Sequence, residues 1–271
     1  MLIRGNARNL RRVDGGRKWT PARLFAAGEP GAWYDPSDFS TLFQDSAGTV
    51  PVTAVDQQVR RMLDKSGRGN HMIQPVLASA PFLRQNANGT LCLRCDGSND
   101  WMYSAANFNL SSTDKVSIFT GIKKTGSATA IVIEHGTSFV NNTRVFYVVA
   151  GTDAVFVNGY TSAARGSGVV SSRQVSSFQN LPPPHTAVIS ATHNIPGDLS
   201  TIRVNGVSGT NGAADKGEGN FGNYVLYIGR RANSSLPFDG DIHGMIIRGA
   251  LSTASEIASS EKWMNGKTLA Y

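Results

Sequence analysis

From residue 91 onward the chain returns repeatedly to short apolar or alternating segments closed by Gly, Asn, Asp or Pro: Leu91 to Asp96, Val116 to Lys123, Ala130 to Glu134, Arg144 to Val149, Ala154 to Asn158, Thr186 to Thr192, Thr201 to Asn205, Tyr224 to Gly229 and Asp241 to Arg248. Runs this short with stops this frequent suit strands, not helices. Two of them end in Asn-Gly, at Asn158-Gly159 and Asn205-Gly206, where a positive φ is cheap and a tight hairpin turn is favoured. The connections therefore read as meander or Greek-key links. Charged residues make up only 17% and glycines number 29, which agrees with many strands joined by turns. A chain of 271 residues is an ordinary length for one β domain.

One helix stands out, Ser252 to Asn265. Thr253 and Glu256 have capping-box spacing, and Gly266 reads as its C-terminal stop. Ile257 and Met264 share a face with Trp263 beside them, so that tryptophan reads as a packing residue. Residues 24 to 90 carry many turn signals, among them Gly28, Pro30, Pro36, Gly48, Pro51, Gly67, Pro75 and Pro81, and read as loop-dominated. The Gly- and Ser-rich stretches Arg165 to Ser177 and Ser208 to Asn223 read as long exposed loops, where a β scaffold carries recognition.

Charge divides the chain. Arg4, Arg8, Arg11, Arg12, Arg17, Lys18 and Arg23 face a single acid, Asp14, so the first 23 residues hold six of the net seven positive charges. Residues 1–27 read as a basic anchoring arm and residues 28–271 as the body. Asn6, Asn9, Arg11, Arg12 and Asp14 interrupt every apolar run a secretory leader would need, and no run is long enough for a membrane span.

Few residues suggest chemistry. Cys92 and Cys95 lie three apart on a strand and so point to opposite faces, which argues against a disulfide. With no second pair and no adjacent histidine they read as plain buried thiols. His71, His135, His185, His193 and His243 lack zinc-ligand spacing. Asp239 and Asp241 sit two apart, about 7 Å along a strand, and could serve calcium, although a turn role at Gly240 explains them too. Trp33, Tyr34, Asp35 and Asp38 combine rings with carboxylates, as sugar binding requires, while Pro36 and Ser37 give the same run a turn-forming reading. Phosphate-loop, nucleophile-elbow and zinc-protease motifs are missing, so no catalytic residue is expected.

Four segments, Gly28 to Asp45, Leu63 to Met72, Leu93 to Met102 and Phe238 to Thr268, together resemble the laminin-G-like, concanavalin A-like lectin jelly-roll domain of tailed-bacteriophage virion proteins. Ser200 to Val207 resembles the central hairpin of such modules. The resemblance implies an all-β sandwich of two antiparallel sheets, often with a glycan-binding face, built into a virion assembled in a bacterial cytoplasm. Asp96, Gly97 and Asp100 match the family's turn, whereas Cys95 stands where a larger apolar residue is usual.

The leading expectation is a non-enzymatic virion protein of tail, fibre, baseplate or head decoration, with no required cofactor. It would meet host surface glycans through its body and other virion proteins through its arm, as a homo-oligomer such as a trimer. A carbohydrate-active enzyme or its binding module is the alternative. Retaining glycosidases need two carboxylates about 5 Å apart, and Glu134 stands alone on its strand. A third reading has the arm bind nucleic acid, but apart from Trp19 it lacks the interleaved aromatics, so nucleic acid is the weaker partner.

Overall fold

A computed structural model describes residues 18–136, 139, 142–151, 158–168, 174–177, 179–232 and 235–271. Two large antiparallel sheets face each other across one core. The eight-stranded sheet runs Val207–Gly212, Leu199–Val204, His185–Asn194, Lys115–Lys124, Asp239–Arg248, Leu91–Asp96 and Phe82–Gln85, with Gly31–Tyr34 pairing the far half of Asp239–Arg248. The nine-stranded sheet runs Gln174–Ser176, Gly159–Ala164, Phe146–Gly151, Ala130–His135, Leu226–Ile228, Met102–Ser104, Met72–Ile73, Arg61–Met62 and Leu42–Phe43. Strands that neighbour in space are often distant in sequence, as the jelly-roll reading requires. Among the described residues, no helix is long and apolar enough to cross a membrane.

Alternation sorts the side chains. Ile118, Ile122, Val132, Phe146, Val148, Ile189, Ile242 and Ile247 point between the sheets. Trp33, Phe119, Val188 and Ile246 point outward from the eight-stranded sheet, where Leu24, Phe25 and Met264 cover them. Even the polar core obeys this rule: His193, fully buried, holds the sheets together through Ser162 Oγ at 2.8 Å, and its other ring nitrogen meets Ser200 Oγ at 2.7 Å.

The expected strand Leu91 to Asp96 lies where the spacing put it, and the long central strands extend the expected ones by one or two residues at an end. Asn205 and Gly206 have φ of 50° and 76° and turn the hairpin between 199–204 and 207–212. Most of the expected strand at 154–158 lies outside the described residues. Three expectations are corrected. Residues 24–90 supply five strands of two to four residues, too short for alternation to show. The two polar stretches contain Gln174–Ser176 and Val207–Gly212 as edge strands. The helix is Ala254–Thr268 and runs through Gly266, ending where Leu269 takes φ 52°.

The helix start is as read: Thr253 Oγ1 accepts from the Glu256 amide at 3.3 Å, and Glu256 Oε2 accepts from the Thr253 amide at 2.7 Å. Its buried face lies on the eight-stranded sheet, seating Met264 against Phe119 and Ile246. Residues placed in the arm by charge alone also belong here. Pro21–Phe25 forms a 3-10 turn whose Leu24 and Phe25 are 0% and 4% exposed, so the packed body begins before residue 28.

Candidate functional site

The sequence-selected aromatic and acidic run mainly fastens the helix to the sheet. Trp33 is buried, with its ring edge-on to Trp263 at 5.7 Å and Lys65 over its face at 4.5 Å. Tyr34 is wholly inside the core and donates its hydroxyl to the Asn70 carbonyl. Asp35 accepts from Lys267 at 2.9 Å, Lys65 at 3.3 Å and Ser37 Oγ at 2.6 Å. Burial alone would raise its carboxyl, but the Ser37 hydrogen bond and the two ammonium groups outweigh that and hold it low. Asp38 pairs with Lys65 at 2.7 Å and caps the turn at 39–41.

Asp239 and Asp241 converge on a cation of the protein itself. Arg94 lies 2.7 Å from Asp239 and 3.5 Å from Asp241. Of the basic residues expected to anchor the arm, Arg4, Arg8, Arg11, Arg12 and Arg17 lie outside the described residues. Lys18 lines a groove of about 770 Å³ with Trp19, Lys262, Trp263 and Lys267, and Arg23 sits in the last turn of the 3-10 segment.

A different set comes together on the outer face of the nine-stranded sheet. Its register aligns Ile73, Tyr103, Tyr227, Glu134, Tyr147 and Ala163 in one row across adjacent strands. At a strand spacing of about 4.8 Å, the four positions from Tyr103 to Tyr147 extend about 14 Å. Trp101, two residues before Tyr103, stacks on it at 5.1 Å and lies 5.9 Å from Tyr227. Tyr103 and Tyr227 are half-buried, so each side chain keeps part of its surface in solvent. Farther along, Tyr147 meets Phe139 edge-on at 4.5 Å, and Arg165 lies 4.0 Å over Phe139.

An ion pair divides this band of rings. Nε of Arg231 donates to the two oxygens of Glu134 at 2.9 and 3.2 Å. The Glu134 side chain is 2% exposed and that of Arg231 is 30%, so the arginine is the member that reaches solvent. Burial raises the Glu134 carboxyl, and Arg231 offsets only part of that. Tyr227 is raised as well, by burial and by the neighbouring Glu134 and Tyr103. On the opposite face of the same strand, His135 is held neutral, its pKa lowered to about 4 by burial.

This arrangement offers flat apolar rings beside an anchored guanidinium. Rings of this kind cover the apolar faces of a ligand, and a guanidinium donates in a fixed plane to hydroxyl or carboxylate oxygens. Sequence reading missed the set because Tyr103, Tyr227, Glu134 and Tyr147 come from four strands that are not all consecutive in the chain. The one local signal was Trp101 and Tyr103 at period-two spacing.

No protein-family model matches this sequence, and no curated protein matches it. Solved structures share its fold. An arabinofuranosidase complexed with arabinofuranosyl-α-1,2-xylobiose superposes over 92% of this chain and 65% of its own, with a TM-score of 0.65 and 10% identity. Domain 4 of AbnA, a GH43 extracellular arabinanase from Geobacillus stearothermophilus in complex with arabinotriose, aligns over 86% of this chain and 98% of its own, with a TM-score of 0.54 and 13% identity. The ligand-binding domain of botulinum neurotoxin serotype D, in complex with N-acetylneuraminic acid, covers 74% of this chain, with a TM-score of 0.53 and 12% identity. This chain spans 48% of that domain. At such identities the likeness shows the fold alone: an all-β jelly roll of the type found in carbohydrate-binding modules.

Proposed function

We propose that the protein is a non-catalytic glycan-binding module and that its binding surface is the outer face of the nine-stranded sheet. The observation that carries this reading is the half-exposed Tyr103 and Tyr227 pair, backed by Trp101 and set beside Arg231. Rings already stacked on one another lose little freedom on binding, which suits a weak-contact ligand such as a sugar chain. The bound carbohydrates of the arabinanase domain and the neurotoxin domain agree with a glycan as the ligand class. A non-catalytic role is supported by the partner of Glu134: a guanidinium stands where retaining cleavage would need a second carboxylate about 5 Å away.

The setting follows from the sequence resemblance and the charge of the first 23 residues. The module would sit on a phage particle, held by its basic arm to an acidic virion neighbour, with repeated copies supplying avidity. A glycan array probed with a multivalent form of the full chain tests the binding role. Retention of specific glycans that is lost in Tyr227→Ala supports it, and a blank array or binding unaffected by that change refutes it. Release of new reducing ends from a bound polysaccharide would make the protein an enzyme instead.

A further inference from the structure

The structure assigns a second site, unrelated to the aromatic band: we propose that Cys92, Asp241 and His243 bind a zinc-class divalent cation. Strands 91–96 and 239–248 pair with Asp241 opposite Arg94 and Ile242 opposite Leu93. Leu93, Cys95 and Ile242 enter the core, which leaves Cys92 and Asp241 on the outer side of the eight-stranded sheet. Against strand 115–124 the register shifts between Ile242 and Gly244, so His243 is the extra residue of a bulge. Bulges re-aim side chains, and this one gathers His243 with the other two. The donor atoms of all three lie within 4.8 Å of one another, and the residues are 0%, 5% and 1% exposed.

The three groups are poorly served by the protein's own hydrogen bonds. Nδ1 of His243 meets no partner at full hydrogen-bonding geometry; burial lowers the ring's pKa, and Asp241 and the nearby Leu91 backbone offset that only in part. Its Nε2 faces Asn86 Nδ2 at 3.4 Å. The Cys92 thiol reaches the Arg84 carbonyl at 3.6 Å and Asn86 Oδ1 at 4.0 Å, both long contacts, and otherwise faces the Asp241 carboxylate, itself a member of the cluster. Arg94 is closer to Asp239 than to Asp241. Buried polar groups with weak partners are costly, and a cation would satisfy them together.

The donor set selects the metal. Thiolate, imidazole and carboxylate suit zinc and its neighbours, whereas calcium takes oxygen ligands only. A thiolate and a carboxylate also balance the charge of a divalent ion, although Arg94, 3.5 Å from Asp241, and Lys123 lie close by and would have to turn outward towards Asp239 or solvent. Tetrahedral zinc places its donors about 3.5 Å apart, so the shell closes with side-chain shifts of about 1 Å. Asn86, in contact with both Cys92 and His243, is placed to supply the fourth donor or to orient the ligands.

The test uses the full chain, stripped with chelator and titrated with Zn²⁺ and Co²⁺. The expected result is one equivalent bound, a rise in Tm with Zn²⁺ but not with Ca²⁺, and a thiolate-to-cobalt charge-transfer band. Cys92→Ser should abolish that band, Asn86→Ala should weaken Zn²⁺ binding by about tenfold or more, and Cys95→Ala should leave both unchanged. Wild-type protein whose Tm ignores Zn²⁺, a cobalt complex without the thiolate band, or a band that survives in Cys92→Ser would each overturn the proposal. The wild-type measurements stand even if a variant fails to fold.

Discussion

Arg231 reaches Glu134 from the solvent side, its Nε 2.9 Å from one carboxylate oxygen and 3.2 Å from the other, so a surface guanidinium is held in place by an acid beneath it. Removing the arginine strands a buried carboxylate. Arg231→Ala is expected to cost about 2 kcal/mol in urea unfolding at pH 8. Glu134 already titrates above its usual range, and without the guanidinium it rises further. The deficit should therefore shrink as the pH falls and the carboxyl takes up a proton. A deficit independent of pH would show that the pair is not what the mutation disturbs.

On the same face, Tyr227→Ala should weaken glycan binding about tenfold, equivalent to about 1.4 kcal/mol. Because its ring is half-buried and its strand is pinned on both sides, Tm should move far less than affinity does. Calorimetry with a glycan taken from the array, beside a thermal melt, separates the two effects.

Asp100 gives a pH-dependent signature. Burial, helped by the charge of Asp96, raises its pKa to about 7 from 3.8. The unfolded chain ionises this group near 3.8 and the folded one keeps the proton to about 7, so its contribution to stability falls as pH rises through that window. His193 and His135 act oppositely. Burial lowers them to about 3 and about 4 from 6.5, so stability is lost as acid protonates the unfolded chain first. Asp100→Asn should raise Tm at pH 8, with the gain shrinking towards pH 4.5. A gain that stays constant across the range would contradict this assignment.

Thr253→Ala removes the side-chain half of the capping box and should cost about 1 kcal/mol. For a chain of this size that lowers Tm by about 2–4 °C in a calorimetric scan. The helix covers Phe119 and Ile246 through Met264, so the loss should appear in the single cooperative transition of the body, not as a separate early event.

Truncation locates the start of the body. A chain beginning at Gly28 lacks Leu24 and Phe25, each buried and each contributing about 1.5–3 kcal/mol. It should melt clearly below a chain beginning at Lys18. Equal melting temperatures would return residues 18–27 to the arm.

Much of the fold was legible because the long central strands carry their own alternation: Leu91, Leu93 and Cys95 turn inward at every second position, as do Met245 and Ile247 once the bulge at His243 has shifted the phase set by Ile242. The helix was legible because a capping box is a local interaction. Its end was not, since Gly266 is tolerated inside it while the left-handed residue is Leu269. The five short strands before residue 90 owe their existence to their neighbours and leave no periodicity of their own. Both candidate sites were hidden for the same reason. Tyr103 meets Tyr227, and Cys92 meets His243, only through pairing of strands far apart in sequence, and no spacing rule covers such distances.

Lys18 and Trp19 share one groove with Lys262, Trp263 and Lys267, so the entrance to the body and its closing helix lie together on the outer side of the eight-stranded sheet. The aromatic band lies on the other side of the sandwich. A bead, a sensor chip or a fusion partner joined near residue 18 or beyond the helix would therefore hold the molecule by its back and leave the ring-lined side facing outward.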